Sequence, residues 1–86
     1  MNLYLISQTE SRGYETFDSA VVAAESEEDA RTIHPGDTLH GRGGWEDDGY
    51  SYSWVERGKV DRVAVELIGV AMHQDRGVIC ASFNAG

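Results

Sequence analysis

A segment without strand or helix periodicity, residues 36–53, divides this chain into two blocks of sheet-forming sequence. The segment contains five glycines, the acidic run Glu46-Asp47-Asp48 and three aromatic residues. A structureless connection of this length is uncommon in a compact domain, and loops of this kind are usually functional or mobile. We therefore expect one domain over residues 1–86, in which residues 36–53 form a long, glycine-rich acidic loop where binding would take place.

The block before this loop begins with the pattern of two strands. Residues 2–8 and 14–24 have strand length and are rich in apolar residues, and the short polar segment between them predicts an antiparallel hairpin. Strict alternation in the second strand predicts two faces. One face would carry Phe17, Ser19, Val21 and Ala23, and the other Asp18, Ala20, Val22 and Ala24.

The sequence Ser26-Glu27-Glu28-Asp29 predicts the start of a helix. The Ser26 hydroxyl is expected to accept the backbone N–H of Asp29, and the Asp29 carboxylate to accept that of Ser26. Acidic residues in a first turn also suit the positive end of the helix dipole. Ala30 and Ile33 form a narrow apolar stripe, and Pro35-Gly36 ends the helix after about two turns. A helix this short must lie on the sheet.

The block after the loop predicts two more strands, at residues 63–72 with a bulge near Gly69 and at residues 78–83. A turn at residues 73–77 makes them a predicted hairpin. The order β-β-α-loop-β-β predicts an α+β fold, a four-stranded antiparallel sheet with one short helix packed on one face. Strand one or strand four would be an exposed edge, and such an edge can pair two copies into a homodimer.

The length of 86 residues allows only a small core, which lowers the expectation of an enzyme cleft. Cys80 is the only cysteine, so an intramolecular disulfide is impossible, and its apolar neighbours predict a buried side chain. The N-terminus has no basic region and only a short apolar stretch, unlike a signal peptide or a membrane span. We expect a reducing, cytoplasmic location.

Charge is distributed unevenly along the chain. Residues 13–48 carry ten acidic residues against Arg31 and Arg42, whereas the rest of the chain is balanced, and the net charge is −8. Such an asymmetry creates a directional field that attracts a basic surface. It also argues against nucleic acid or an anionic membrane as the direct ligand.

No pattern of catalytic or metal-binding residues stands out. The spacing of His34 and His40 matches no familiar ligand motif, and no cysteine pair supports one. Gly41-Arg42-Gly43-Gly44 resembles an anion-binding loop but lacks the lysine and hydroxyl residues of a P-loop, and acidic residues follow at once. We expect no enzyme activity, no metal and no cofactor.

Four aromatic residues, Trp45, Tyr50, Tyr52 and Trp54, lie within ten residues of one another. In one interpretation Trp45 and Tyr50 anchor the acidic loop in a pocket of a basic partner, because interface centres favour tryptophan and tyrosine. In the other, Tyr52 and Trp54 alternate into the core and only Trp45 is exposed. Both interpretations remain open at the level of the sequence.

Three stretches of the chain resemble small uncharacterised proteins encoded by bacteriophages and prophages. They are SAVVAAESEEDAR at residues 19–31, VELIG at 65–69 and GVICASFNAG at 77–86. The resemblance covers residues 1–36 and about 60–86, and it brings no catalytic residues with it. It implies a phage accessory protein in the host cytosol that binds host or immune-system machinery, as anti-CRISPR inhibitors do.

These observations lead to a hypothesis of a non-enzymatic inhibitor that occupies a basic surface of a host or defence complex by imitating nucleic-acid phosphates. Its predicted partner-binding residues are Glu25, Glu27, Glu28, Asp29, Trp45, Glu46, Asp47, Asp48 and Tyr50. Two alternatives are a binder of a nucleotide-like signal, with Arg42 contacting phosphate, and a minor structural phage protein.

Overall fold

A computed structural model describes residues 1–10, 13, 15–36, 45, 53–72 and 75–84. Its elements are β1 (Asn2–Ser7), β2 (Thr16–Ala24), the helix α1 (Glu27–Arg31), a 3₁₀ helix (Arg57–Arg62), β3 (Ala64–Val70) and β4 (Gly77–Asn84). The four strands form one antiparallel sheet with a short helix, which confirms the predicted α+β class. Within the described part of the chain, no helix has the length and apolar character needed to cross a membrane.

The strand order is β3-β1-β2-β4, so the predicted β3–β4 hairpin is wrong. The two strands lie at opposite edges, and just after β3 the Ala71 N–H donates to the Met1 carbonyl over 2.8 Å. The central strands β1 and β2 carry fully buried side chains such as Ile6 and Val22, whereas most of β3 is exposed. Burial of the most apolar strands in the middle explains the order. It also means that strand one is not an edge.

One face of the sheet forms the core. Alternate residues of the central strands, among them Tyr4, Ile6 and Val22, pack against α1 and the segment that follows residue 53. The largest buried side chain is Trp54, with none of its surface exposed. The prediction that Trp54 enters the core is therefore confirmed. Tyr52 lies outside the described residues.

Irregular pairing changes which side chains share a face. The register of β2 against β4 shifts between Phe17 and Ser19, so Asp18 is the extra residue and Phe17 joins Ala20 and Val22 in the core. The predicted face that grouped Phe17 with Ser19 is wrong for this reason, since strict alternation ignores bulges. The expected irregularity near Gly69 is present, because the register of β3 shifts opposite Leu3 and Tyr4.

Cys80 is exposed, so the predicted buried thiol is wrong. Cys80 pairs with Val21, and Val21 with Leu5, which places all three on the sheet face away from the core residues of β1 and β2. β4 is also an edge strand. Its apolar sequence reflects sheet formation rather than burial of every side chain.

Candidate protein-binding surface

The acidic start of α1 is built on a capped turn. The Ser26 Oγ accepts the backbone N–H of Asp29 at 3.1 Å, as predicted. The reciprocal bond differs by one residue, because Asp29 Oδ2 accepts the N–H of Glu25, also at 3.1 Å, and not that of Ser26. These two bonds fix the backbone from which the side chains of Glu25, Glu27 and Glu28 extend into solvent.

Both carboxylate oxygens of Asp29 accept hydrogen bonds from within the protein. Its Oδ1 accepts a hydrogen bond from Arg76 Nε at 2.8 Å, and a second guanidinium nitrogen of Arg76 donates to Thr32 Oγ1 at 3.0 Å. Partial burial would raise the pKa of Asp29, but the hydrogen bonds from Glu25 N–H and Arg76 and the positive charge of Arg76 outweigh it. The pKa of Asp29 therefore lies below its usual range. This carboxylate organises the surface and is not free to bind a partner.

The Glu28 side chain is mostly exposed and only weakly paired. Arg31 Nε lies 3.8 Å from its carboxylate, and 86% of the Glu28 side chain is exposed, so this ion pair is weak. The Arg31 guanidinium also donates to the carbonyl of Val63, which ties α1 to the start of β3. Among the described residues, neither Glu25 nor Glu27 forms an ion pair with a basic side chain.

A cleft of about 370 Å³ lies between α1 and the 3₁₀ helix. Glu28, Arg31 and Thr32 line it from α1 and its end, and Val60 and Asp61 line it from the 3₁₀ helix. Glu28 and Asp61 contribute carboxylates from the two helices, and Val60 contributes an aliphatic side chain. This lining suits a long side chain with a positive end.

The remaining acidic residues of the charged half are not all on this surface. Glu15 and Asp18 lie at the other end of β2 from Glu25, and Asp18 accepts a hydrogen bond from Asn84 Nδ2 at 3.1 Å. The described part of the acidic half is therefore divided between two ends of the sheet. Glu25, Glu27 and Glu28 are all exposed, and Glu28 is the one of the three that lines the cleft.

Trp45 is attached to the core. Its indole Nε1–H donates to the carbonyl of Val55 at 2.7 Å, and its ring meets His34 edge to face at a centroid distance of 5.0 Å. The side chain is half-buried and packs against the core. The other predicted binding residues of the loop, Glu46, Asp47, Asp48 and Tyr50, lie outside the described residues.

The described residues contain no cluster of three or more histidine, cysteine or acidic side chains that could hold a metal ion. His34 is buried, accepts the Gly36 N–H at Nδ1 over 2.9 Å and packs edge to face on Phe17, which is a structural role. His40 and His73 are outside the described part. A second hollow, of about 220 Å³, lies between β2 and β4 beside Leu5 and Cys80, and no charged residue lines it.

Sequence reasoning missed the contributions of Arg76, Val60 and Asp61 to this surface. They reach α1 from parts of the chain that are about 30 to 50 residues away. No local motif marks such long-range contacts.

The chain matches no protein-family model, no curated protein and no solved structure. The resemblance to small phage proteins therefore stays a prediction.

Proposed function

We propose that this protein is a non-enzymatic phage accessory protein that inhibits a host or defence complex in the host cytosol by occupying a basic, nucleic-acid-binding surface. The observation that carries the proposal is the row of exposed carboxylates Glu25, Glu27 and Glu28, held on a capped turn by Ser26 and Asp29. Because the turn is fixed, the backbone that carries these charges needs no reordering when the carboxylates meet a cationic surface.

The cleft beside this row gives the surface a specific contact. A lysine or arginine of the partner would place its charged group between Glu28 and Asp61 and its methylene groups against Val60. An arginine there could form charge-assisted hydrogen bonds to a carboxylate, which are the stronger kind of hydrogen bond. The same carboxylates would repel a phosphate group, which favours a protein partner over nucleic acid.

The net charge of the protein adds a long-range electrostatic attraction to the contacts at α1. A molecule with a net charge of −8 approaches a basic surface faster than a neutral one, and salt weakens this attraction. The carboxylates of α1 would then stand in for the phosphates that the surface normally binds. The contribution of Glu46, Asp47 and Asp48 is part of the same proposal.

The test compares two charge-matched variants as immobilised baits in lysate from a bacterial host. The first is E25Q/E27Q/E28Q, which removes the row. The control is E15Q/E66Q/D75N, which removes three exposed carboxylates elsewhere and changes net charge by the same amount. Each bait is used at about 50 mM and about 200 mM salt, after nuclease treatment, and captured proteins are quantified by mass spectrometry.

A basic nucleic-acid-binding protein captured by wild type and by the control, but lost with the first variant, is the expected result. Its capture should fall as salt increases. If both variants lost the partner equally, capture would depend on net charge alone and not on the surface at α1. If both variants kept the partner, the proposal for α1 would be overturned.

The alternative of a nucleotide-like ligand rests on Arg42, which lies outside the described residues. Thermal denaturation with a panel of nucleotides tests it, because a tight ligand raises the melting temperature by mass action. A clear shift would replace the proposal made here.

A further inference from the structure

We draw no further inference here: the strongest candidate, the exposed apolar edge of the sheet at Leu67, Ile68 and Val70 of β3, carries none, because nothing in the part of the chain that the structure describes shows what covers it.

Discussion

Arg76 binds Asp29 through a hydrogen bond of 2.8 Å from Nε to Oδ1, across 47 residues of sequence. The pair joins the segment that leads into β4 to the first turn of α1. It also removes Asp29 from the set of free carboxylates, although the sequence groups Asp29 with Glu25, Glu27 and Glu28. A long-range contact thus determines which acidic residues of one short run are available to a partner.

Replacement of Arg76 by alanine should lower the free energy of unfolding by about 1 kcal/mol, near the upper end for a partly exposed ion pair. Arg76 also binds Thr32, so two contacts are lost at once. Chemical denaturation measures the change. Arg62→Ala, which removes the more exposed pair with Glu10, is the control and should lower the free energy of unfolding by less than Arg76→Ala does. Equal effects would show that the Arg76 contacts add nothing beyond a surface pair.

Acidification should remove the stabilisation that Asp29 provides. Its pKa in the folded protein is lowered, so the stabilisation is complete above its ordinary pKa of about 3.9 and is lost as pH falls through the lower folded value. The pKa of Glu10 is lowered in the same direction by its hydrogen bond and charge pairing with Arg62. The free energy of unfolding should decrease from about pH 5 downwards, and Asp29→Asn should flatten this decrease. A variant with the same pH profile as wild type would contradict the assignment.

Replacement of Ser26 by alanine should destabilise the protein by about 1 kcal/mol, the usual effect of losing an N-cap hydroxyl. The Asp29 N–H then loses its 3.1 Å acceptor. Ser82→Ala, at an exposed position of β4, is the matched control and should change stability by less than about 0.5 kcal/mol. Thermal or urea unfolding of both variants gives the comparison. If the cap positions the carboxylates, Ser26→Ala should also weaken partner capture.

Replacement of Trp45 by phenylalanine should cost about 1 kcal/mol, because the carbonyl of Val55 loses its hydrogen bond while most of the ring packing remains. Intrinsic fluorescence then reports Trp54 alone, since the chain has two tryptophans. Partner capture should fall less than with E25Q/E27Q/E28Q. A variant that keeps full stability but loses the partner would instead support the role of Trp45 as an anchor.

Local sequence patterns predicted much of the fold. The strand patterns at residues 2–8 and 14–24 and the Ser26 cap depend on neighbouring residues, and the corresponding elements form. The predicted helix end is wrong, because α1 ends at Arg31, with Thr32 as its C-cap, before Pro35-Gly36 is reached. Ala30 and Ile33 are buried, as their spacing indicates. The class of fold follows from the order of these elements.

Strand order and the shape of the candidate surface depend on contacts that no local pattern contains. The turn-like sequence after Met72 suggested a hairpin, but burial of Ile6 and Val22 in central strands places β3 and β4 at opposite edges. The bulge at Asp18 and the pairing of Asp29 with Arg76 also follow from tertiary packing. For the same reason, the sequence could not distinguish free carboxylates from those bound within the molecule.

The strand order β3-β1-β2-β4 also determines when a nascent chain can complete its sheet. The central hairpin lies within residues 2–24 and leaves the ribosome first, while both flanking strands come from residues 64–84. Until then each side of the hairpin lacks its neighbour, and contacts at such sequence separation form slowly. Ribosome-bound chains that stop before β4 should therefore expose the unpaired edge of β2, where wrong strands can pair. Once β4 is synthesised and pairs with β2, that edge is covered.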